Sequence, residues 1–167
     1  MVEVGAKEEL SGAWVILVSV VLGALLSIMP LPLDYEAWRP KWMILVLIYW
    51  AIALPHRMGL FTIWALGVFT DVLEGTLLGL NAFMFALAAY VALTLYQRLR
   101  MFTLVQQSFL VLMLVGVQQL LAFWILFMAG RNTATDFSFL YPALSSALLW
   151  PVVYVLLRSW RRGYLVT

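Results

Sequence analysis

Two acidic residues, Asp71 and Glu74, are the strongest candidates for chemistry in this 167-residue chain. They are three positions apart, which places both carboxylates on one face of a helix. Such a pair could act as a general acid and base or bind a cation. It could also be solvated at the membrane surface. The acids lie at the end of the third predicted helix, and Arg39 lies at the start of the second. If these two helices are antiparallel, all three residues lie at the same membrane level, and we expect an Arg39–Asp71 or Arg39–Glu74 contact.

Residues that other catalytic and metal sites need are scarce. The chain has no cysteine and a single histidine, His56, which excludes disulfides, thiolate nucleophiles and a His-pair metal site within one chain. The Gly-x-Ser-x-Gly, His-Glu-x-x-His and Walker patterns do not occur in the sequence. The formal net charge of +2 is too small to indicate a nucleic-acid surface. We predict no enzymatic activity, no cofactor, no metal and no nucleic-acid partner.

Small residues recur every four positions around the first acid, at Gly67, Gly75 and Gly79 with Asp71 between them. A stripe of this kind lets a neighbouring helix or a ligand reach the backbone. An acid within the stripe favours a helix–helix or partner contact over a lipid contact.

A second stripe in the first apolar span consists of Ser19, Gly23 and Ser27. It predicts close approach of another helix, unless the spacing arises by chance.

Amide side chains interrupt the apolar span from Phe102 to Met128. Gln118 and Gln119 lie deep enough in it that each needs a hydrogen-bond partner, because an unpaired amide in hydrocarbon is costly. They could hold helices together, or line a polar pocket together with Asn81.

The composition indicates a membrane protein. The chain is 65% hydrophobic and 11% charged, with mean hydropathy +1.01, whereas a soluble domain is about half apolar and about a quarter charged. A membrane β-barrel needs strands that alternate apolar and polar residues, but residues 104–128 are apolar at nearly every position. We predict an all-α polytopic membrane protein.

The apolar spans predict six transmembrane helices in a single domain over residues 1–167. Six helices of about 20 residues leave no room for a separate soluble domain. The second and third spans are shorter than this and have aromatic flanks of the kind that lie at the headgroup level. The expected helices are residues 12–32, 41–54, 58–73, 77–96, 102–128 and 137–158.

The distribution of basic residues predicts the orientation. Six crossings place both termini on one side of the membrane. That side would hold Lys7, Arg57, Arg98, Arg100, Arg158, Arg161 and Arg162, and the other would hold only Arg39, Lys41 and Arg131. The positive-inside rule then puts both termini in the cytoplasm. Arg57 would be a charged anchor in a cytoplasmic turn, or a docking contact for a cytoplasmic partner.

With these features in hand, the stretch from Arg39 to Asn81 resembles the rod-shape-determining MreD family in its proteobacterial form. The resemblance rests on Arg39-Pro40-x-Trp42, Ile48-Tyr49-Trp50, Leu54-Pro55-x-Arg57-x-Gly59, Trp64-x-x-Gly67 and Asp71-Val72-Leu73-x-Gly75-Thr76-x-Leu78-Gly79. Candidate structural or partner-binding residues are therefore Arg39, Trp42, Pro55, Arg57, Gly59, Gly67, Asp71, Glu74, Gly75 and Gly79.

The resemblance implies a non-enzymatic component of the bacterial inner membrane that takes part in cell elongation and lateral peptidoglycan synthesis. Such proteins bind MreC, a bitopic protein with one transmembrane helix and a large periplasmic domain. They work with MreB, RodZ and the elongation-specific transglycosylase and transpeptidase pair, and a homo-oligomer is compatible with this role. The family's fold is similar to the S component of energy-coupling-factor transporters. That similarity implies an alternative function, a membrane subunit that binds a lipid or small molecule for transport or sensing.

Overall fold

The computed structural model describes residues 2–30, 32–130 and 137–163. Within these ranges the chain is helical and contains no strand, which confirms the all-α prediction. The α-helices are α1 (Val2–Ile28), α2 (Leu33–Glu36), α3 (Trp42–Ala53), α4 (Leu60–Glu74), α5 (Leu80–Met101), α6 (Leu104–Met128) and α7 (Tyr141–Gly163), with a 3-10 turn over Phe137–Leu140. Arg131, which the count of basic residues places on the side opposite the termini, lies outside the described residues.

Helix α3 forms the centre of the bundle because its sequence is apolar on every side. All residues from Met43 to Ala53 are buried, as expected for a helix without a polar face. It packs against α1, α5 and α7. Its 12 residues rise only about 18 Å, less than the roughly 30 Å of a bilayer's hydrocarbon core. The helices α1, α5 and α7 surround α3 over this length.

Helix α1 approaches α3 through its small residues. Ser19 is 2% exposed, and its Oγ accepts a hydrogen bond of 2.7 Å from Trp50 Nε1. A Cβ on Gly23 would lie 3.3 Å from Val46 Cγ2. The close helix approach predicted from this stripe is confirmed.

A buried amide joins α5, α6 and α7. Gln107 Nε2 donates to the Leu99 carbonyl at 2.9 Å, and its Oε1 accepts from Trp150 Nε1 at 3.2 Å. Both Gln107 and Trp150 are buried, so this network satisfies polar groups that would be costly in hydrocarbon. Gln118 is also buried, but its Oε1 has no hydrogen-bond partner among the described residues, and Gln119 is half-buried.

The outer surface of the bundle is apolar. Among the described residues, three helical segments are long and apolar enough to cross a membrane: Leu80–Met101, Leu104–Met128 and Ser138–Gly163. Ala13–Ile28 and Trp42–Ala53 are shorter apolar helices. Large apolar side chains cover the outside of α6, with Val105 79% exposed and Phe109 60% exposed. Apolar surface of this extent indicates contact with lipid, and the chain is a polytopic membrane protein.

Helix α5 continues beyond the predicted end at residue 96 because its last turn suits basic side chains. Arg98 and Arg100 lie in that turn, where cations interact favourably with the helix dipole. A capping box then starts α6: Gln106 N donates to Thr103 Oγ1, and Thr103 N donates to Gln106 Oε1.

Candidate functional site

Asp71 is almost fully buried, at 1% exposure, and caps a neighbouring helix. Its Oδ1 accepts hydrogen bonds from Thr76 Oγ1 at 2.8 Å and from Asn81 N at 2.8 Å. Its Oδ2 accepts from Gly79 N at 2.9 Å and from Ala82 N at 3.3 Å. The backbone donors belong to the start of α5, where N–H groups have no partner within the helix, and the positive end of the helix dipole favours a carboxylate.

The loop between α4 and α5 needs glycine at two positions. Gly75 follows the last residue of α4 with φ +63°, and Gly79 precedes α5 with φ +96°. Both values lie in the left-handed region, which side chains with a Cβ rarely adopt. The four-residue spacing therefore does not extend the stripe from Gly67 through Gly75 and Gly79, because α4 ends at Glu74.

Gly67 lies at the closest contact between α4 and α5. A Cβ at this position would be 2.4 Å from Ala82 Cα and 2.8 Å from Ala82 N. Both atoms belong to the backbone, so they cannot move aside as a side chain would. The sequence left open whether Gly67 contacts a helix of the same chain, a partner or a ligand. The structure confirms a helix–helix contact, and it forms within the chain.

Glu74 contacts Lys41 instead of Arg39. Lys41 Nζ lies 3.9 Å from Glu74 Oε2, with both side chains partly exposed. Asn81 Nδ2 donates to the same carboxylate oxygen at 3.3 Å. An ion pair of this length and exposure contributes little to stability. It shows that the residue before α3 and the last residue of α4 lie side by side.

The predicted contact between Arg39 and the acids is wrong. Arg39 Nη1 donates to the Ser27 carbonyl at 2.9 Å, and Nη2 donates to the Met29 carbonyl at 3.0 Å. The last carbonyls of a helix lack partners within that helix, and here the guanidinium satisfies those at the end of α1. Arg39 and Glu74 nevertheless lie near each other, since both line the same cavity.

This cavity, the acid-side cavity, has a volume of about 320 Å³. Its lining consists of Ser27, Ile28, Arg39, Pro40, Lys41, Leu73, Glu74 and Thr76. Arg39 Nε is buried there without a hydrogen-bond partner in the described part of the chain. The pocket residues expected from the sequence, Asn81, Gln118 and Gln119, are not among those that line it.

The remaining candidates lie elsewhere. Trp42 is half-buried at the start of α3, beside an apolar groove between α1 and α7. Pro55 and Arg57 are half-buried in the turn that follows α3. Gly59 is the N-terminal cap residue of α4. Over residues 2–30, 32–130 and 137–163, no group of three or more acidic or histidine side chains could hold a metal ion.

Arg100 has a structural role that the sequence did not reveal. The sequence indicated only that it is one of the basic residues on the same side of the membrane as the termini. Its Nε donates to the Ile52 carbonyl at 3.0 Å and its Nη2 to the Ala53 carbonyl at 2.7 Å. These are the last carbonyls of α3, and a cation at this end also complements the helix dipole. A signal in the sequence is the abrupt end of a short apolar helix, whose last carbonyls need donors from elsewhere in the chain.

The sequence of the chain matches known proteins of one family. A family model described as rod shape-determining protein MreD matches residues 8–160. The chain is similar to the rod shape-determining protein MreD of Haemophilus influenzae, with 33% identity over 143 residues, 85% of this chain and 87% of that protein. No solved structure matches.

Proposed function

The chain belongs to the MreD family of rod shape-determining proteins, and we propose that it is a non-enzymatic membrane scaffold of the cell-elongation machinery. The family match over residues 8–160 is the observation that carries this proposal. In this function the protein binds MreC and so supports lateral peptidoglycan synthesis, together with MreB, RodZ and the elongation-specific transglycosylase and transpeptidase pair.

The environment of the best catalytic candidate supports a scaffold. Asp71 is 1% exposed, and both of its oxygens accept hydrogen bonds from the loop and from the start of α5. A general base must come within hydrogen-bond reach of a substrate proton. Asp71 instead stabilises the α4–α5 hairpin, and its partner Glu74 contacts Lys41 and Asn81.

We propose that the transmembrane helix of MreC binds in the groove between α1 and α7. The groove has a volume of about 250 Å³ and is lined by Ser19, Leu22, Gly23, Leu26, Trp42, Val46, Val153, Leu156, Leu157 and Trp160. Ser19 and Gly23 in its floor pack against α3, and apolar side chains at its rim would provide packing for a further helix. Leu26 and Leu156 are 41% and 56% exposed, so a partner could cover them.

Disulfide cross-linking tests this interface directly, because the chain has no cysteine of its own. Leu26→Cys and Leu156→Cys should each form adducts with single cysteines placed along the MreC transmembrane helix. Phe109→Cys is the matched control, since Phe109 is 60% exposed but lies on α6 outside the groove. Adducts of equal yield at Phe109→Cys, or none at the two groove positions, would refute the assignment.

We propose that the protein lies in the inner membrane with both termini in the cytoplasm. The cavity at the end of α3 that contains Arg100 also contains Arg158 and Arg161, whereas the acid-side cavity contains Glu74 with Arg39 and Lys41. The excess of arginine at one end supports this orientation under the positive-inside rule.

Single cysteines at exposed positions report the orientation. Gln97 lies near the end of α5, and Glu36 lies in the connection between α1 and α3. A membrane-impermeant thiol reagent should label Glu36→Cys in cells with a permeabilised outer membrane, and Gln97→Cys only after lysis. The reverse labelling pattern would contradict the proposed orientation.

A ligand-binding membrane subunit similar to a transporter S component is the second candidate function. The acid-side cavity favours it, because the buried Arg39 Nε lacks a partner among the described residues. Native mass spectrometry of the purified protein would then detect a retained lipid or metabolite, and its mass should be lost in the Arg39→Gln variant. A protein that carries no such mass would count against this candidate.

A further inference from the structure

A second polar cavity, the arginine cavity, lies at the opposite end of α3 from Glu74. It has a volume of about 220 Å³ and is lined by Tyr49, Ile52, Ala53, Arg100, Tyr154, Arg158 and Arg161. Three arginines therefore line one small space, and none of the residues described as lining it is acidic. Like charges brought together in this way repel one another, and an anion between them would offset that repulsion.

Tyr49 provides a second, independent observation at the arginine cavity. The residue is 2% exposed, and its hydroxyl has no hydrogen-bond partner among the described residues. Its ring makes edge contacts with Trp50 at 5.2 Å and with Tyr154 at 5.6 Å, measured between ring centroids. These contacts hold the hydroxyl in place. A buried hydroxyl without a partner is costly, which indicates that a missing acceptor belongs beside it.

The arginines are partly preorganised for such an acceptor. Arg100 is held by its bonds to the Ile52 and Ala53 carbonyls, which use two of the five N–H groups of a guanidinium. Arg158 lies over the ring of Tyr154, 5.9 Å from its centroid. Arg161 is half-buried at the mouth of the cavity. Side chains that are ordered before binding lose less entropy when a ligand arrives.

We propose that the arginine cavity binds the phosphate group of an anionic ligand. A phosphate offers several acceptor oxygens in a tetrahedral arrangement, so it can accept from guanidinium groups and from the Tyr49 hydroxyl at once. The phosphate can come from an anionic phospholipid headgroup or from a soluble phosphate compound. This inference does not depend on the scaffold function or on the orientation in the membrane.

Lipid titration of the purified full-length protein, followed by native mass spectrometry, tests the site. Dioleoyl phosphatidylglycerol should bind the native chain, and Arg161→Gln should weaken binding by about tenfold, the effect of losing one charge-assisted hydrogen bond. Arg162→Gln is the matched control, because it removes the same charge from an exposed neighbour that does not line the cavity. Equal losses in both variants would overturn the proposal, since they would indicate general attraction between charges.

Tyr49→Phe separates a binding role from a structural one. It should weaken phosphatidylglycerol binding several-fold and leave the melting temperature of the lipid-free protein unchanged or raised, because it removes a buried hydroxyl without a partner. A lower melting temperature with unchanged binding would show that the hydroxyl has a structural partner, and would overturn the assignment.

Further probes identify the source of the phosphate. Dioleoylglycerol, which has the same acyl chains without phosphate, should not bind at this site, and binding equal to that of phosphatidylglycerol would overturn the proposal. Binding of glycerol 3-phosphate or inorganic phosphate, with the same dependence on Arg161 and Tyr49, would support a soluble ligand. Binding of phosphatidylglycerol alone would support a lipid headgroup. A glutamate-rich peptide that competes as strongly as phosphate would show that the cavity takes any anion, and would also overturn the proposal.

Discussion

Replacing Gly67 with alanine is expected to prevent α4 and α5 from packing in their native arrangement. The added methyl carbon would lie 2.4 Å from Ala82 Cα and 3.0 Å from the Asn81 carbonyl oxygen, so the two helices would have to separate. Overpacking against backbone has few routes of relaxation, and we expect a loss of about 3 kcal/mol or more, the upper end for such changes. The same separation would pull Asp71 away from the backbone donors of α5.

The measurement is the amount of folded protein in the membrane, together with the melting temperature after purification in detergent. Gly116→Ala is the matched control, because a Cβ at Gly116 meets nothing within 4 Å. That control should fold normally and could gain up to about 1 kcal/mol from the higher helix propensity of alanine. Equal behaviour of the two variants would show that the α4–α5 contact is looser than the structure indicates.

Asp71→Ala is the second change with a large expected effect. It leaves the backbone N–H groups of Gly79, Asn81 and Ala82 without their acceptor, together with the Thr76 hydroxyl. Buried donors without a partner each cost about 1–3 kcal/mol, so we expect a loss of about 3 kcal/mol or more, and failure of the protein to accumulate in the membrane.

Two further variants at these acids distinguish the capping role from a loss of charge alone. Asp71→Asn keeps one acceptor oxygen but turns an NH₂ group towards backbone donors, so it should also be clearly destabilising. Glu74→Gln, the control, removes one charge from a partly exposed ion pair and should change stability by less than about 1 kcal/mol. If Asp71→Asn were as stable as the native chain and the protein still failed to support rod shape, the carboxylate would have a chemical role after all.

Much of the architecture is determined by local properties of the sequence. The apolar composition and the lengths of the spans determine an all-α membrane protein. The unbroken apolar sequence of α3 permits its central position, because a helix without a polar face can be buried on every side. The stripe at Ser19 and Gly23 indicated a close helix neighbour, because small side chains let the backbone of another helix approach. Asp71 also stood out, since an acid at the end of an apolar helix needs partners.

The partners of the polar residues were decided only by the tertiary structure. Charge complementarity favoured an Arg39–acid pair, but Asp71 binds backbone N–H groups and Arg39 binds backbone carbonyls. Every residue except proline carries the same backbone donor and acceptor, so no sequence pattern marks which of them will lack a partner. The packing of α1, α5 and α7 around α3 decides which helix ends meet. The left-handed turns at Gly75 and Gly79 also decide it, because they set the path from α4 to α5. The sequence by itself therefore determined which polar residues need hydrogen-bond partners, and the packing of the helices determined which groups those partners are.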